Sequence, residues 1–505
     1  ALSLLVVHNM FSQGPWTFTD SNDGWTTSGS VAILTTSDRY SILDVNGAAS
    51  PQFTRTDANV DGTTNIYAVI RIKNNTSNTL MRFIYNTTGT NRFVDSQISA
   101  NDTNFKTYYV KVDANADWNT NPVNTITIPF KADHTNPATG AIDDGLGNFY
   151  IDHFEIVAAP INRADFSFDN PNDPGGMVVG GGALLTQNST TGVYELDTNE
   201  KAFPSINLTN TFQVDGTNNK FVAITFDSHT ATNLNEVSFV AQGPTNQFRQ
   251  ITVAPNTPGE TQTIIYNLSA VTSWSGNETA FFVQFRYKVA TTTTPFPDGQ
   301  AVRIHRILFF NSQWTGATDS DWNTASNWSS GSVPTADDVV HIRSGLTNNP
   351  VISATTGAEI KDLIVQGTLT IENGGSLIVN GTSTGIGNIT YNRTLDFVAG
   401  NANGWHLIAS PLAEQMYNDA FATANNLATS GSRRGLAYYN DALAPSSKYT
   451  YLLSDDTNSS SFNSGVYAGS GIGYSAKRAS TGTVAFTGKI NTNHVNGVSV
   501  STSGN

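Results

Sequence analysis

The sequence predicts an all-β protein built from tandem domains, and three observations carry that prediction. Charged residues are only 13% of the chain, while Thr, Asn, Ser and Gly abound. Short apolar–polar alternations of period two recur between Asn, Asp, Gly and Thr turns, and helix-periodic runs are almost absent. Finally, the stretch Val60-Asp61-Gly62-Thr63-Thr64-Asn65-Ile66-Tyr67-Ala68-Val69-Ile70-Arg71-Ile72 returns as Val214-Asp215-Gly216-Thr217-Asn218-Asn219-Lys220-Phe221-Val222-Ala223-Ile224-Thr225-Phe226, an offset of 214 − 60 = 154. Offsets within a few residues of this link Phe18 to Phe168, Pro51 to Pro204, Trp118 to Trp274 and Ile151 to Ile304. Anchors in one order mean a duplicated domain of about 150 residues, a usual domain size.

Taken in order, Ala1-Leu2-Ser3-Leu4-Leu5-Val6-Val7 is an apolar run too short to span a bilayer. Residues 1–14 are read as part of an export signal, with a buried first strand as the alternative. Residues 15–159 form the first copy. Its closing run, Phe149-Tyr150-Ile151-Asp152-His153-Phe154-Glu155-Ile156, returns beside the first strand as in a β-sandwich or jelly roll. Comparing the copies separates inside from outside. Ile66, Ala68, Ile70 and Ile72 alternate with Tyr67, Val69, Arg71 and Lys73; the second copy keeps Val222, Ile224 and Phe226 on the apolar side and puts Thr225 and Asp227 at the places of Arg71 and Lys73. The same parity places Met81, Phe83, Tyr85, Tyr108, Val110 and Val112 in the core, and Arg71, Lys73, Arg82, Tyr109 and Lys111 outside. Pro160-Ile161-Asn162 is a short linker, and residues 163–312 form the second copy.

Composition shifts at residues 313–391, a Trp-rich segment with Trp314, Trp322 and Trp328. Short strands then recur at Leu363-Ile364-Val365, Leu369-Thr370-Ile371 and Leu377-Ile378-Val379, a spacing that suits a few rungs of β-solenoid or a tight meander. Residues 392–505 are β-rich, with one helix expected near Ala413–Leu427. The predicted architecture is therefore two tandem jelly-roll β-sandwiches, a short β-solenoid or meander segment, and a C-terminal β-rich domain.

With 26 Lys+Arg against 40 Asp+Glu, the formal charge is −14. That balance opposes general binding to nucleic acid or anionic membranes, which need a cationic footprint, and says little about neutral sugars. The absence of cysteine excludes disulfides, thiolate metal sites and a cysteine nucleophile. No transmembrane segment is expected.

Aromatic rings stack on the apolar faces of pyranoses, so Trp25, Tyr40, Trp118 and Trp274 are candidate sugar platforms; for the two shared tryptophans a core plug is the alternative. The outward set Arg71, Lys73, Arg82 and Lys111 with Tyr109 is a basic face suited to an anionic polysaccharide, provided its strands share one sheet. Asp20 and Asp23 at the start and Asp152 on the last strand are candidate ligands for a structural calcium ion. Asp113-Ala114-Asn115-Ala116-Asp117 and Asp319-Ser320-Asp321-Trp322-Asn323 alternate acids as a calcium loop does. Both lack the glycine and distal glutamate of an EF-hand loop, and turn-forming Asp and Asn are the simpler account. Catalytic motifs are weaker. Gly381-Thr382-Ser383-Thr384-Gly385 fits the letters of a nucleophile elbow without its strand–turn–helix context. Glu155, Glu195 and Glu278 form no recognisable glycosidase pair.

Trp16-Thr17-Phe18…Gly24-Trp25, Ser50-Pro51-Gln52-Phe53, Asp61-Gly62 and Phe149-Tyr150-Ile151-Asp152 resemble the jelly-roll carbohydrate-binding modules of secreted Bacteroidetes-type proteins. The resemblance covers residues 15–312 and implies a structural calcium site at Asp152; the second copy carries His305 there. Trp314…Trp322…Asn327-Trp328…Pro334…Asp337-Asp338-Val339-Val340-His341-Ile342 is similar to a segment of large surface proteins of the same group. Trp405-His406-Leu407-Ile408-Ala409-Ser410-Pro411, Gly435-Leu436-Ala437-Tyr438-Tyr439-Asn440, Gly473-Tyr474-Ser475 and Phe486-Thr487-Gly488 resemble the region preceding type IX secretion sorting domains. These resemblances imply a secreted or cell-surface protein of a Gram-negative bacterium, anchored at the outer membrane through further C-terminal sequence. Its expected partner is a polysaccharide or glycoconjugate, bound for adhesion or substrate capture. The alternatives are a glycoside hydrolase or polysaccharide lyase with its catalytic domain elsewhere, and a structural spacer.

Overall fold

A computed structural model describes residues 14–18, 22–28, 32–35, 41–44, 51–86, 91–102, 105–119, 122–133, 147–168, 170, 175–187, 193–198, 200–243, 245–254, 260–400, 403–413, 415–439, 444, 447–455 and 473–490. The chain divides into two compact units, Ala1–Phe309 and Phe310–Asn505. Residues 1–13, Asp20 and Tyr40 lie outside the described residues, and with them the expected export signal and two candidate site residues.

The first unit opens with β1 (Thr26–Ser28), β2 (Ala32–Thr35), β3 (Ser41–Asp44), β4 (Gln52–Arg55), β5 (Tyr67–Asn74), β6 (Leu80–Asn86), β7 (Asn91–Gln97), β8 (Lys106–Lys111), β9 (Thr125–Lys131) and β10 (Asn148–Val157). They form two five-stranded sheets, ordered β1-β4-β9-β6-β7 and β2-β3-β10-β5-β8. The second copy supplies β11 (Ile161–Asn162), β12 (Asp165–Ser167), β13 (Met177–Gly180), β14 (Leu184–Gln187), β15 (Tyr194–Asp197), β16 (Ser205–Leu208), β17 (Phe212–Asp215), β18 (Phe221–Asp227), β19 (Glu236–Ala241), β20 (Gln247–Thr252), β21 (Gln262–Asn267), β22 (Asn277–Glu278), β23 (Phe281–Val289), β24 (Thr292–Thr294) and β25 (Ala301–Phe310). Its sheets, β13-β16-β23-β19-β20 and β14-β15-β25-β18-β21, repeat the strand order of the first copy. The parity argument holds here: Met81, Phe83, Tyr85, Tyr108, Val110 and Val112 are all buried between the sheets.

The repeated Val-Asp-Gly-Thr stretch is a structural joint. Asp61 accepts the Thr63 amide at 2.9 Å, and Asp215 accepts the Thr217 amide at 2.9 Å, so each acid closes its own turn. Trp118 then donates its indole N–H to the Asn65 carbonyl at 2.8 Å, and Trp274 donates to that of Asn219 at 2.7 Å. A Cβ at Gly62 would stand 2.0 Å from the Trp118 carbonyl oxygen, so only glycine allows this approach.

The outward face of β5 is partly covered. Val69 is 5% exposed, because it packs with Tyr67, Tyr109 and Val157 against the core of the second sandwich. The expected linker is ordered there too: β11 runs parallel to β17, and Ile161 is buried. Arg163 fastens this junction, its guanidinium lying 4.3 Å from the Tyr109 ring and 5.0 Å from that of Phe212.

The second unit begins with parallel ladders. Ser312–Trp314, Val339–Ile342, Asp362–Val365 and Ser383–Thr384 stack in one; Val351–Ile352, Thr368–Ile371 and Asn388–Leu395 stack in another; Gly357–Ile360 pairs with Ser376–Val379. Parallel stacking of this kind is the β-solenoid geometry, but the strands near Leu363, Leu369 and Leu377 form three faces of one coil rather than successive rungs, and the residues that stack lie about 20 positions apart. Trp314, Trp322 and Trp328 plug its start as edge-on rings 4.9 and 4.7 Å apart. A helix at Asp419–Ala424, capped by the Asn418 side chain on the Phe421 amide, falls inside the range expected for one.

Candidate functional site

Sheet membership splits the predicted basic face. Arg71, Lys73, Tyr109 and Lys111 lie on the β2-β3-β10-β5-β8 sheet, and Arg82 lies on the opposite one. Its guanidinium groups are also neutralised. Arg71 pairs with Asp152, and Arg82 makes a two-point pair with Asp95 at 2.6 and 2.7 Å. Lys73 lies 4.0 Å from the Tyr150 ring and its pKa is lowered by burial, while Lys111 sits 3.5 Å from Asp113. Tyr109 is taken by the junction between sandwiches, where it meets Phe212 edge-on at 5.1 Å.

The tryptophan platforms are corrected as well. Trp25, Trp118 and Trp274 are 2%, 0% and 1% exposed, so no ring face is open to a sugar. Trp25 instead packs on Phe53 and Trp16, and the other two serve the joints described above. Of the proposed calcium ligands, Asp152 holds Arg71, and Asp23 accepts the Thr17 and Phe18 amides at 2.7 and 3.0 Å. Asp117 pairs with Arg92, and Asp319 and Asp321 close Asx-type turns on the amides of Asp321 and Asn323. Among the described residues no group of three or more His, Asp or Glu is arranged to hold a metal.

Equivalent faces of the two sandwiches carry the features that the sequence reading missed. Alternation along β7 turns Val94 to the core and Phe93 outward, 56% exposed; on β20, Phe248 is 44% exposed. Register places both rings at the same point. Phe93 stands opposite Ile84 of β6, and Phe248 opposite Val240 of β19, the matching strand. Their separation, 248 − 93 = 155, agrees with the repeat offset, which was the available signal.

Each ring stands beside a guanidinium. In the first copy Arg82 lies 4.0 Å from the centre of Phe93 and is held by Asp95. Inward from it, Gln52, Ile84, Asn86, Asn91, Thr125 and Thr127 line a shallow groove of about 220 Å³. Asn86 donates to Asn91 at 3.1 Å, and the Thr54 and Thr127 hydroxyls meet at 3.0 Å. In the second copy Arg286 lies 5.6 Å from Phe248 and 5.8 Å from Phe203, which is 46% exposed. Arg286 also donates to Gln284 at 2.6 Å and to Glu236 at 3.1 Å, and Lys288 donates to Glu236 at 2.7 Å. Both copies thus set an exposed aromatic ring beside a guanidinium that is paired with an acid, with side-chain amides nearby and, in the first copy, threonine hydroxyls.

Residues 313–395 match the family model described as a domain of unknown function, DUF8693. No curated protein matches the chain. Among solved structures, the CBM22-1–CBM22-2 tandem domain of Paenibacillus barcinonensis Xyn10C is 12% identical, with a TM-score of 0.22 over 59% of this chain and 96% of its own. The CBM22-1–GH10 modules of Clostridium thermocellum xylanase 10B, complexed with xylohexaose, are 17% identical with a TM-score of 0.21, over 30% of this chain and 29% of theirs. A xylan-binding domain from CBM22 is 18% identical with a TM-score of 0.21, over 30% of this chain and 97% of its own.

Proposed function

We propose that the first unit binds neutral polysaccharide on the outer faces of the β1-β4-β9-β6-β7 and β13-β16-β23-β19-β20 sheets. The observation that carries this reading is the recurrence of an exposed phenylalanine, Phe93 and Phe248, at one register position in both copies. An exposed ring flanked by fixed hydrogen-bonding groups serves no core, yet matches the alternation of C–H faces and hydroxyls on a sugar chain. Because Arg82 is paired with Asp95 and Arg286 shares Glu236 with Lys288, each guanidinium beside a ring already holds an acid, and the proposed ligand is a neutral chain. In this reading the protein is exported and captures or adheres to glycan outside the cell. Native affinity electrophoresis of the full chain through gels containing a neutral β-linked polysaccharide such as xylan tests it. Retardation is expected, weakened about tenfold for each ring lost in Phe93→Ala and Phe248→Ala. Equal retardation of the double variant and the parent would refute the assignment.

A further inference from the structure

We infer that the second unit carries a separate binding site for a polyuronate chain, on the outer face of its antiparallel sheet. That sheet pairs His406–Ile408 with Tyr474–Ala476, the latter with Arg433–Tyr439, and this with Tyr449–Leu453. Alternation sends Ile408, Tyr474, Leu436 and Leu452 into the core, so their neighbours along each strand face away from it. Register aligns Leu407, Ser475, Ala437 and Tyr451 in one row across the four strands. The next row holds Tyr439 opposite Tyr449.

In this row Ser475 and the buried Ala437 lie between Leu407, which stands exposed at one edge, and Tyr451 at the other. Tyr439 and Tyr449 meet at 5.3 Å and 65° and are 53% and 49% exposed; Trp405 lies 6.0 Å from Tyr451. Tyr449 and Tyr451 are two positions apart on one strand, roughly 6.8 Å, the scale of one sugar ring and its linkage. The open pair Tyr439 and Tyr449, beside the half-buried Tyr451 and Trp405, forms an aromatic patch on this face.

Charge complementarity names the occupant. Arg433 lies 5.2 Å from the Tyr451 ring and Lys448 lies 5.6 Å from that of Tyr439. Among the described residues neither pairs with an acid, whereas neighbouring Arg434 is held by Asp419 at 2.5 Å. Two unneutralised cations beside stacking rings, in a chain of net charge −14, fit a ligand with both sugar faces and carboxylates. On the first unit's faces, by contrast, Arg82 and Arg286 are each already paired with an acid.

The test is affinity electrophoresis of the full chain through polygalacturonate in EDTA. Retardation is expected, falling as salt rises. Tyr439→Ala/Tyr449→Ala should weaken it at least tenfold. Arg433→Gln/Lys448→Gln should weaken it similarly, Tyr439→Phe/Tyr449→Phe should preserve it, and Phe93→Ala/Phe248→Ala should leave it unchanged. The inference is overturned if the parent is not retarded, if the tyrosine-to-alanine variant migrates like the parent, or if the loss follows Phe248→Ala instead. Preferential binding of single-stranded oligothymidylate, or tyrosine-dependent dimerisation of the free chain, would also overturn it.

Discussion

His341 gives the second unit a pH dependence whose size follows from its surroundings. The ring is 2% exposed within the parallel ladder, with Nδ1 2.9 Å from Gln313 Oε1 and Nε2 3.1 Å from Gln366 Oε1. Burial pushes its pKa from the ordinary 6.5 down to about 4; the Gln366 contact opposes that shift, and the Arg343 charge adds to it. Since the folded-state value is the lower one, the unfolded chain binds more protons between those two pH values. The neutral ring's contribution is therefore whole above the unfolded pKa and is lost as pH falls through the folded one. A displacement of roughly 2.5 pH units at 1.36 kcal/mol each makes the loss about 3 kcal/mol. Hydrogen exchange of the Val339–Ile342 amides, measured at pH 7 and pH 4 in the parent and in His341→Gln, isolates the effect from carboxylate titration. The parent should lose about 3 kcal/mol more opening free energy than the variant on acidification. An equal loss in both proteins would refute the reasoning.

Two further outcomes follow from the first unit. Gly62→Ala, which forces a Cβ onto the Trp118 carbonyl, should destabilise the first sandwich by about 1–3 kcal/mol in a urea titration. Arg163→Ala, which removes the guanidinium lying over the Tyr109 and Phe212 rings, should open residues 158–164 to proteolysis; the parent, where Ile161 is buried in a paired strand, should resist.

The duplicated joint was legible in the sequence because Asp61, Gly62 and Trp118 and their counterparts do one structural task twice, and such tasks fix residue types. The short strands of the solenoid were legible around Leu363, Leu369 and Leu377, but their spacing of about seven residues separates three faces of one coil; the residues that stack, such as Val340, Leu363 and Ser383, lie 23 and 20 positions apart. Sheet membership was not. Successive strands β5 and β6 enter opposite sheets, so the basic residues that look contiguous in sequence are divided between two faces. Phe93 escaped notice for a related reason: Arg92-Phe93-Val94 places apolar residues on both parities, and only the packing of Val94 decides which one faces out. Val69 shows the converse, an outward residue buried by a neighbouring domain that no local pattern announces.

The central claim, sugar stacking on Phe93 and Phe248, is tested most directly by saturation-transfer NMR on a perdeuterated chain with protonated phenylalanine and a neutral xylohexaose probe. Saturating the aromatic protons should transfer magnetisation to the axial ring hydrogens of the sugar, and Phe93→Ala/Phe248→Ala should abolish the transfer. Transfer of equal strength in the double variant, or xylohexaose binding without any transfer, would contradict the account.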